Sequence, residues 1–284
     1  MALADQQSQV TSAVNAYLSQ QQPLETVLTQ LTSQIETAYT AADASNDGST
    51  SAESLLWDLW HTLLSIAQTL SYADSDNYQS RLTSLFSALK ERDAPSLSAE
   101  KLSVVQNTLP WSQGHLWEDL VLWGWEVRES FDVLDPVING PQQGTATTTE
   151  WVNINAYLAR LTQGGVFDHS LLGLSVVRQA LESTSPTTTN LGGAVGAAAV
   201  WLLLAGRTWY HAGWEDETKA DVQEPAGSLW QGRAFKIDRT RVRFWNGRLC
   251  RILDEAETID DEWKMLSRDA ISSLEDLEAG EVKS

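Results

Sequence analysis

Apolar residues recur every three to four positions along most of this chain. That spacing places side chains on one face of an α-helix. Leu55, Leu56, Leu59, Leu63, Ile66 and Leu70 form one such stripe, with Trp57 and Trp60 beside it. Leu116, Leu120, Trp123, Val127 and Phe131 form another within residues 111–131, the densest aromatic region, with Trp117 and Trp125 off the stripe. A helix that is apolar on more than one face is expected to be buried on more than one. No run alternates apolar and polar residues for long, so strands are not expected. Asp47-Gly48 sits in a Ser- and Asn-rich loop rather than between two β-rich runs.

The pattern predicts helices over residues 5–19 and, after Pro23, to 41. Residues 42–51 read as a polar linker, with Thr50 and Glu53 as a capping box for the next helix. Further helices are expected over 77–91, 111–131 and 151–161, and from a cap at Asp168 to 182. A Gly/Ala-rich helix over 191–210 follows, packed closely on a neighbour through Gly192, Gly193 and Gly196. The last two helices, 239–255 and 259–278, read as separate or as one bent unit. The expected fold is all-α: an irregular bundle of about ten helices around one Trp-rich core, with no repeat of constant period. The expected domains are an N-terminal helical pair over 1–50 and a main all-helical domain over 51–284.

Composition narrows the function classes. Apolar residues make up 42% and charged residues 20% of the 284, a globular balance that argues against general disorder. One cysteine, Cys250, excludes an internal disulfide framework and a thiolate zinc cage, and suits a reducing, cytoplasmic setting. The first twenty residues carry no basic n-region, so no secretory leader is expected. The longest uncharged apolar stretch, 191–206, is shorter than the ~20 residues a membrane span needs.

The formal charge of −19 repels nucleic acid and anionic membranes, so neither is expected as a partner. No Lys or Arg precedes Arg81, whereas residues 233–251 hold seven bases and one acid, followed directly by the acidic run 254–262. That basic segment either pairs internally or forms an anion-binding wall. Thirteen Trp serve either a packed core or the walls of an apolar pocket.

Cofactor signatures are missing. There is no dinucleotide fingerprint after a strand, no Walker loop, no nucleophile elbow and no H-E-x-x-H, so no cofactor and no metal is expected. His61, His115, His169 and His211 stand far apart in sequence. A terpene cyclase would need an aspartate-rich magnesium motif, and Asp260-Asp261-Glu262-Trp263-Lys264 lacks its final acid. Glu118, Asp119, Glu126 and Glu129 lie on or beside the aromatic segment, where a carboxyl packed among indoles would have a raised pKa.

Six short blocks carry a resemblance. They are Leu56-Trp57-Asp58-Leu59-Trp60, Glu150-Trp151-Val152-Asn153-Ile154-Asn155-Ala156-Tyr157, Arg178-Gln179-Ala180-Leu181-Glu182, Ala198-Ala199-Val200-Trp201, Leu229-Trp230-Gln231-Gly232 and Arg241-Val242-Arg243-Phe244-Trp245. In this order, over roughly residues 53–250, they resemble a fungal family known as domain of unknown function 3632. The resemblance implies a fungal source and supplies no reaction. It does single out polar groups set in apolar helices. Asn153, Asn155 and Arg178 either bond to one another and to helix ends, or orient a ligand. In the ligand reading, Arg178 or Arg243 binds a carboxylate, carbonyl or phosphate, and Trp151, Trp230 and Trp245 form the walls. Arg239 and Arg243 share one helix face, as do Arg241 and Trp245.

Two functions remain open at this point. One is a cofactor-independent binder of a hydrophobic small molecule, extending to cyclisation or isomerisation in fungal secondary metabolism, with a non-canonical terpene cyclase as a remoter variant. The other is a non-enzymatic interaction or scaffold protein. The sequence does not fix the oligomeric state.

Overall fold

A computed structural model describes residues 2–41, 52–108, 115–135, 147–183, 191–219, 228–255 and 259–282. Among the described residues are twelve α-helices and one two-stranded ribbon, so the fold is all-α. The chain forms two compact units, Met1–Asp132 and Val133–Ser284, whereas the sequence pattern suggests a division near residue 50.

The first unit contains α1 (Ala2–Leu18), α2 (Leu24–Ala41), α3 (Ala52–Thr69), α4 (Tyr78–Lys90), α5 (Ala99–Thr108) and the start of α6 (Trp123–Leu134). Helices α1 and α2 each pack on α3 and α4, so the N-terminal pair shares their core. On α3 the stripe residues Leu56, Leu59, Leu63 and Ile66 are buried, and Trp60 beside them is fully buried. Helix α5 was not expected from periodicity, because it offers few apolar positions. Its start is held by Ser98, whose Oγ accepts the Lys101 N–H at 3.4 Å.

The expected helix over 111–131 is only partly formed among the described residues. Residues 115–122 are turns, with Leu120 and Leu122 at φ 45° and 69°, a left-handed conformation unfavourable for leucine. The turns free the Val121 carbonyl, which accepts the buried Trp60 Nε1–H at 2.7 Å. A continuous helix would have used that carbonyl internally. Leu116 and Leu120 are nonetheless buried, because closely wound turns satisfy the same three-to-four spacing.

The second unit contains α7 (Thr148–Gln163), α8 (Ser170–Leu181), α9 (Leu191–Leu204), α10 (Gly206–Ala212), α11 (Arg239–Glu255) and α12 (Asp261–Val282). Helix α7 begins three residues before the expected start, because Thr147 and Glu150 form a reciprocal capping box. The N-cap of α8 is His169 rather than the expected Asp168, whose Oδ1 still accepts the Ser170 N–H at 2.9 Å just before the helix. Helix α9 is central and packs on α7, α8 and α12. Trp263 of α12 lies across Gly192 and Gly196; a Cβ at Gly196 would stand 2.9 Å from the indole. These glycines allow the close helix approach that the sequence suggested.

The expected helix over 191–210 instead bends by 57° at Ala205 into α10. No single helix among the described residues is long and apolar enough to cross a membrane. Strands were not expected, yet β1 (Trp214–Glu215) pairs antiparallel with β2 (Lys236–Ile237). The linker over 42–51 and the Thr50 half of its capping box lie outside the described residues.

Candidate functional site

Three of the six sequence blocks meet in the second unit, around one carboxylate. Glu182, at the end of α8, is fully buried, and so is Arg241, in the first turn of α11. Arg241 grips Glu182 through two hydrogen bonds, Nε to Oε1 at 2.7 Å and Nη2 to Oε2 at 2.9 Å. Its remaining nitrogen, Nη1, donates to the carbonyls of Arg233, Ala234 and Lys236 at 2.9, 2.9 and 2.6 Å. Trp245 lies one turn along α11 and donates its Nε1–H to Glu182 Oε1 at 2.7 Å. The Glu182 main-chain carbonyl accepts from Leu229 N at 3.0 Å. The guanidinium of Arg241 also lies 5.5 and 5.3 Å from the ring centres of Trp230 and Trp245. One buried ion pair thus fastens the 228–238 segment to α8 and α11.

A second chain of contacts leads to this centre from α7. Asn155, fully buried, donates its Nδ2–H to the Trp151 carbonyl at 2.9 Å and accepts the Trp201 Nε1–H at 2.7 Å. Trp201 stacks on Trp209 with ring centres 5.5 Å apart and planes 8° from parallel. Trp209 meets Trp245 edge-on at 6.0 Å and donates to Ser170 Oγ at 3.1 Å. Gly173 admits this stack; a Cβ there would stand 2.7 Å from the Trp201 ring.

The seven residues expected to bind a ligand therefore separate. Trp151, Asn153, Asn155 and Trp245 are buried, and Asn155 and Trp245 spend their polar atoms on internal partners. Arg178 is a quarter exposed, with Nε 3.9 Å from Glu182 Oε2. Trp230 is half-buried, and its Nε1 is buried with no acceptor. Arg243 points away from this cluster: about half exposed, it bonds Glu278 at 3.1 Å and Tyr210 Oη at 2.8 Å. Residues two apart on a helix face nearly opposite ways, so Arg241 and Arg243 are separated by geometry. Glu182 and Arg241 were missed as site residues. The four-residue spacing of Arg241 and Trp245 was their visible signal, but nothing local indicates that Glu182 is the partner.

The basic segment 233–251 pairs with acids outside the run that follows it: Glu182, Glu215 and Glu278. Of the acids near the aromatic region, Glu126 is buried, bonded to Ser130 Oγ at 2.7 Å and 3.0 Å from His61 Nδ1. Glu118 is exposed beside His115. His169 is buried, and that burial lowers its pKa to about 3 against a raising influence from Asp168. Burial likewise raises the Tyr157 hydroxyl well above its ordinary value. Among the described residues, no three His, Cys, Asp or Glu side chains are grouped to hold a metal.

A cleft of about 400 Å³ opens in the first unit between α1 and α2. Val10, Ala13 and Leu31 form its floor, and the side chains above them are amides and hydroxyls.

The fold and the site thus define an all-helical protein in which motif blocks distant in sequence meet at one buried charged centre. The chain belongs to the family described as "Protein of unknown function (DUF3632)", whose model matches residues 60–249. No curated protein and no solved structure matches the chain.

Proposed function

We propose that this protein acts by binding a macromolecular partner rather than by catalysis. The observation that carries this reading is the closure of its polar centre. Both Glu182 oxygens and every nitrogen of the Arg241 side chain are bonded inside the protein. A general acid, base or anion anchor has to reach the reacting atoms, at least in the complex. A bidentate buried pair with three further carbonyl acceptors is instead suited to holding a loop in place. The reading assigns the family's shared motifs to the scaffold and the binding role to the surface. It places the protein in the cytoplasm, where the single Cys250 stays reduced.

The competing reading is a cofactor-independent cyclase or isomerase of a hydrophobic small molecule. An untargeted mass-spectrometric comparison of metabolites, with and without this gene, separates the two. The expected result is matching profiles under conditions where the protein is expressed. Loss of one compound with build-up of an isomer or uncyclised precursor overturns the binding reading.

A further inference from the structure

Arg243 belongs to the Arg241–Trp245 block but stays outside the Glu182 centre. It lies on a cationic face built where α10 packs on α11. Arg239 and Arg243 stand one turn apart on α11 and close on the same ring. Their guanidinium carbons lie 4.8 and 5.6 Å from the centre of Tyr210. Arg243 Nη2 also donates to Tyr210 Oη at 2.8 Å. His211 meets the same ring edge-on at 5.4 Å, and Arg207 precedes His211 by one turn of α10. Tyr210 itself is buried, whereas Arg207, His211, Arg239 and Arg243 are exposed.

This arrangement selects among ligands. Guanidinium groups laid on an aromatic ring have already lost rotamer freedom, so a ligand that takes them does not have to order them. Their forks match an oxyanion, and Glu278 of α12 already gives Arg243 Nε a carboxylate oxygen at 3.1 Å. The Glu278 side chain keeps 38% of its exposure, so a more highly charged oxyanion arriving from solvent can replace it. The rest of the molecule sets the size of that oxyanion. The chain carries a net charge of −19, and physiological salt screens its wider field beyond about 8 Å. A compact anion seated on these bases is held by them, whereas a long polyanion runs past them over an acidic protein and is repelled. A phosphoryl monoester is compact and carries about −1.5 to −2 charge with three acceptor oxygens. The face is also open, since half of the Arg243 side chain is exposed. Small free metabolites are held in enclosed pockets, while an open face suits a phosphoryl group presented on a larger chain that adds contacts of its own.

We infer that the Arg239–Arg243–Tyr210 face binds one phosphorylated side chain of a partner polypeptide, with Glu278 as the carboxylate it displaces. This rests on the binding reading above and names the partner's chemistry.

The test uses the full chain and a fluorescein-labelled Gly-Ser peptide with one central phosphoserine, followed by fluorescence anisotropy. The expected result is binding that Arg243→Gln and Arg239→Gln each weaken about tenfold. Glu278→Gln removes the competing carboxylate and is expected to tighten binding, a gain that a misfolded variant cannot give. Arg268→Gln, on an exposed position of the same helix as Glu278, is expected to leave binding unchanged. No binding of the phosphopeptide overturns the inference. So does equal binding of the unphosphorylated peptide, or of one with a run of glutamates in place of the phosphoserine. Displacement of the peptide by an equal concentration of inorganic phosphate overturns the polypeptide as the source. Binding unchanged by both arginine substitutions, or not tightened by Glu278→Gln, overturns the assignment of these residues. Peptide failure with unchanged metabolite profiles removes this face alone; changed profiles remove the binding reading itself.

Discussion

Each unit of this protein sets a glutamate against an arginine and a tryptophan N–H, and the two copies of that arrangement differ in burial. In the first unit Glu36 takes Arg92 Nε at 2.6 Å, Arg92 Nη2 at 3.1 Å and Trp117 Nε1 at 3.0 Å. In the second, Glu182 takes Arg241 and Trp245 in the same pattern. The Glu36 and Arg92 side chains keep 18% and 29% of their exposure, whereas Glu182 and Arg241 keep none. Arg241 alone of the two arginines has three backbone carbonyls on its outer nitrogen. The difference follows from desolvation. A charge pair that gives up water entirely needs every donor filled, while a pair still in contact with water does not.

Breaking the buried copy has the largest expected effect. Glu182→Ala leaves Arg241 uncompensated and is expected to cost about 3–5 kcal/mol in urea unfolding. The double variant Glu182→Leu with Arg241→Met is expected to recover much of that loss, since neither charge is then buried. A double variant as unstable as the single one would show that the loop contacts, rather than the charge pair, dominate the centre.

The tryptophan stack behind Trp245 comes next. Gly173→Ala drives a methyl to 2.7 Å from the Trp201 ring, and the forced repacking is expected to cost about 1–3 kcal/mol. A near-native melting temperature would mean that the stack yields easily.

A pH titration of stability reads a third element. His169 stays neutral in the folded state down to about pH 3, while the unfolded chain protonates near its ordinary value of 6.5. The unfolded state therefore binds more protons between these values. Stability falls as pH drops below 6.5, at up to about 1.4 kcal/mol per pH unit, and the loss levels off below the folded value. His169→Gln is expected to flatten that slope; an unchanged slope would assign it to other groups.

The half-exposed copy carries the smallest effect. Burial pushes the Glu36 carboxyl up, but Arg92, with Trp117 and Thr32, outweighs it and holds the group below its ordinary value. Its contribution is present above the ordinary value of 4.5 and is lost as pH falls through the lower folded value. Water screens this pair, so Glu36→Gln is expected to cost about 1 kcal/mol or less at neutral pH. A loss as large as that of Glu182→Ala would erase the distinction between the two sites.

How much of this was legible in the sequence depended on the range of the interactions. The stripe on α3 and the close packing at Gly192 and Gly196 followed from spacing and side-chain size, which are local. The departure at residues 115–122 has a non-local origin: Trp60, sixty-one residues away, takes the Val121 carbonyl. Among the candidate site residues, Trp245 and Trp230 do stand at the Glu182 centre, and Arg178 stands at its edge. Arg243 does not, because a two-residue step on a helix reverses direction.

The sequence alone determined the all-helical class, the membership of its motif blocks in one family and the strong acidity of its first half. Helical periodicity, motif order and charge are properties of the chain itself. Only the tertiary structure decided that Glu182, fifty-nine residues from Arg241, is its partner, that Trp245 serves that pair, and that the amides of α1 and α2 face one cleft. Each of those depends on which helix faces meet, and that is set by packing the whole unit at once.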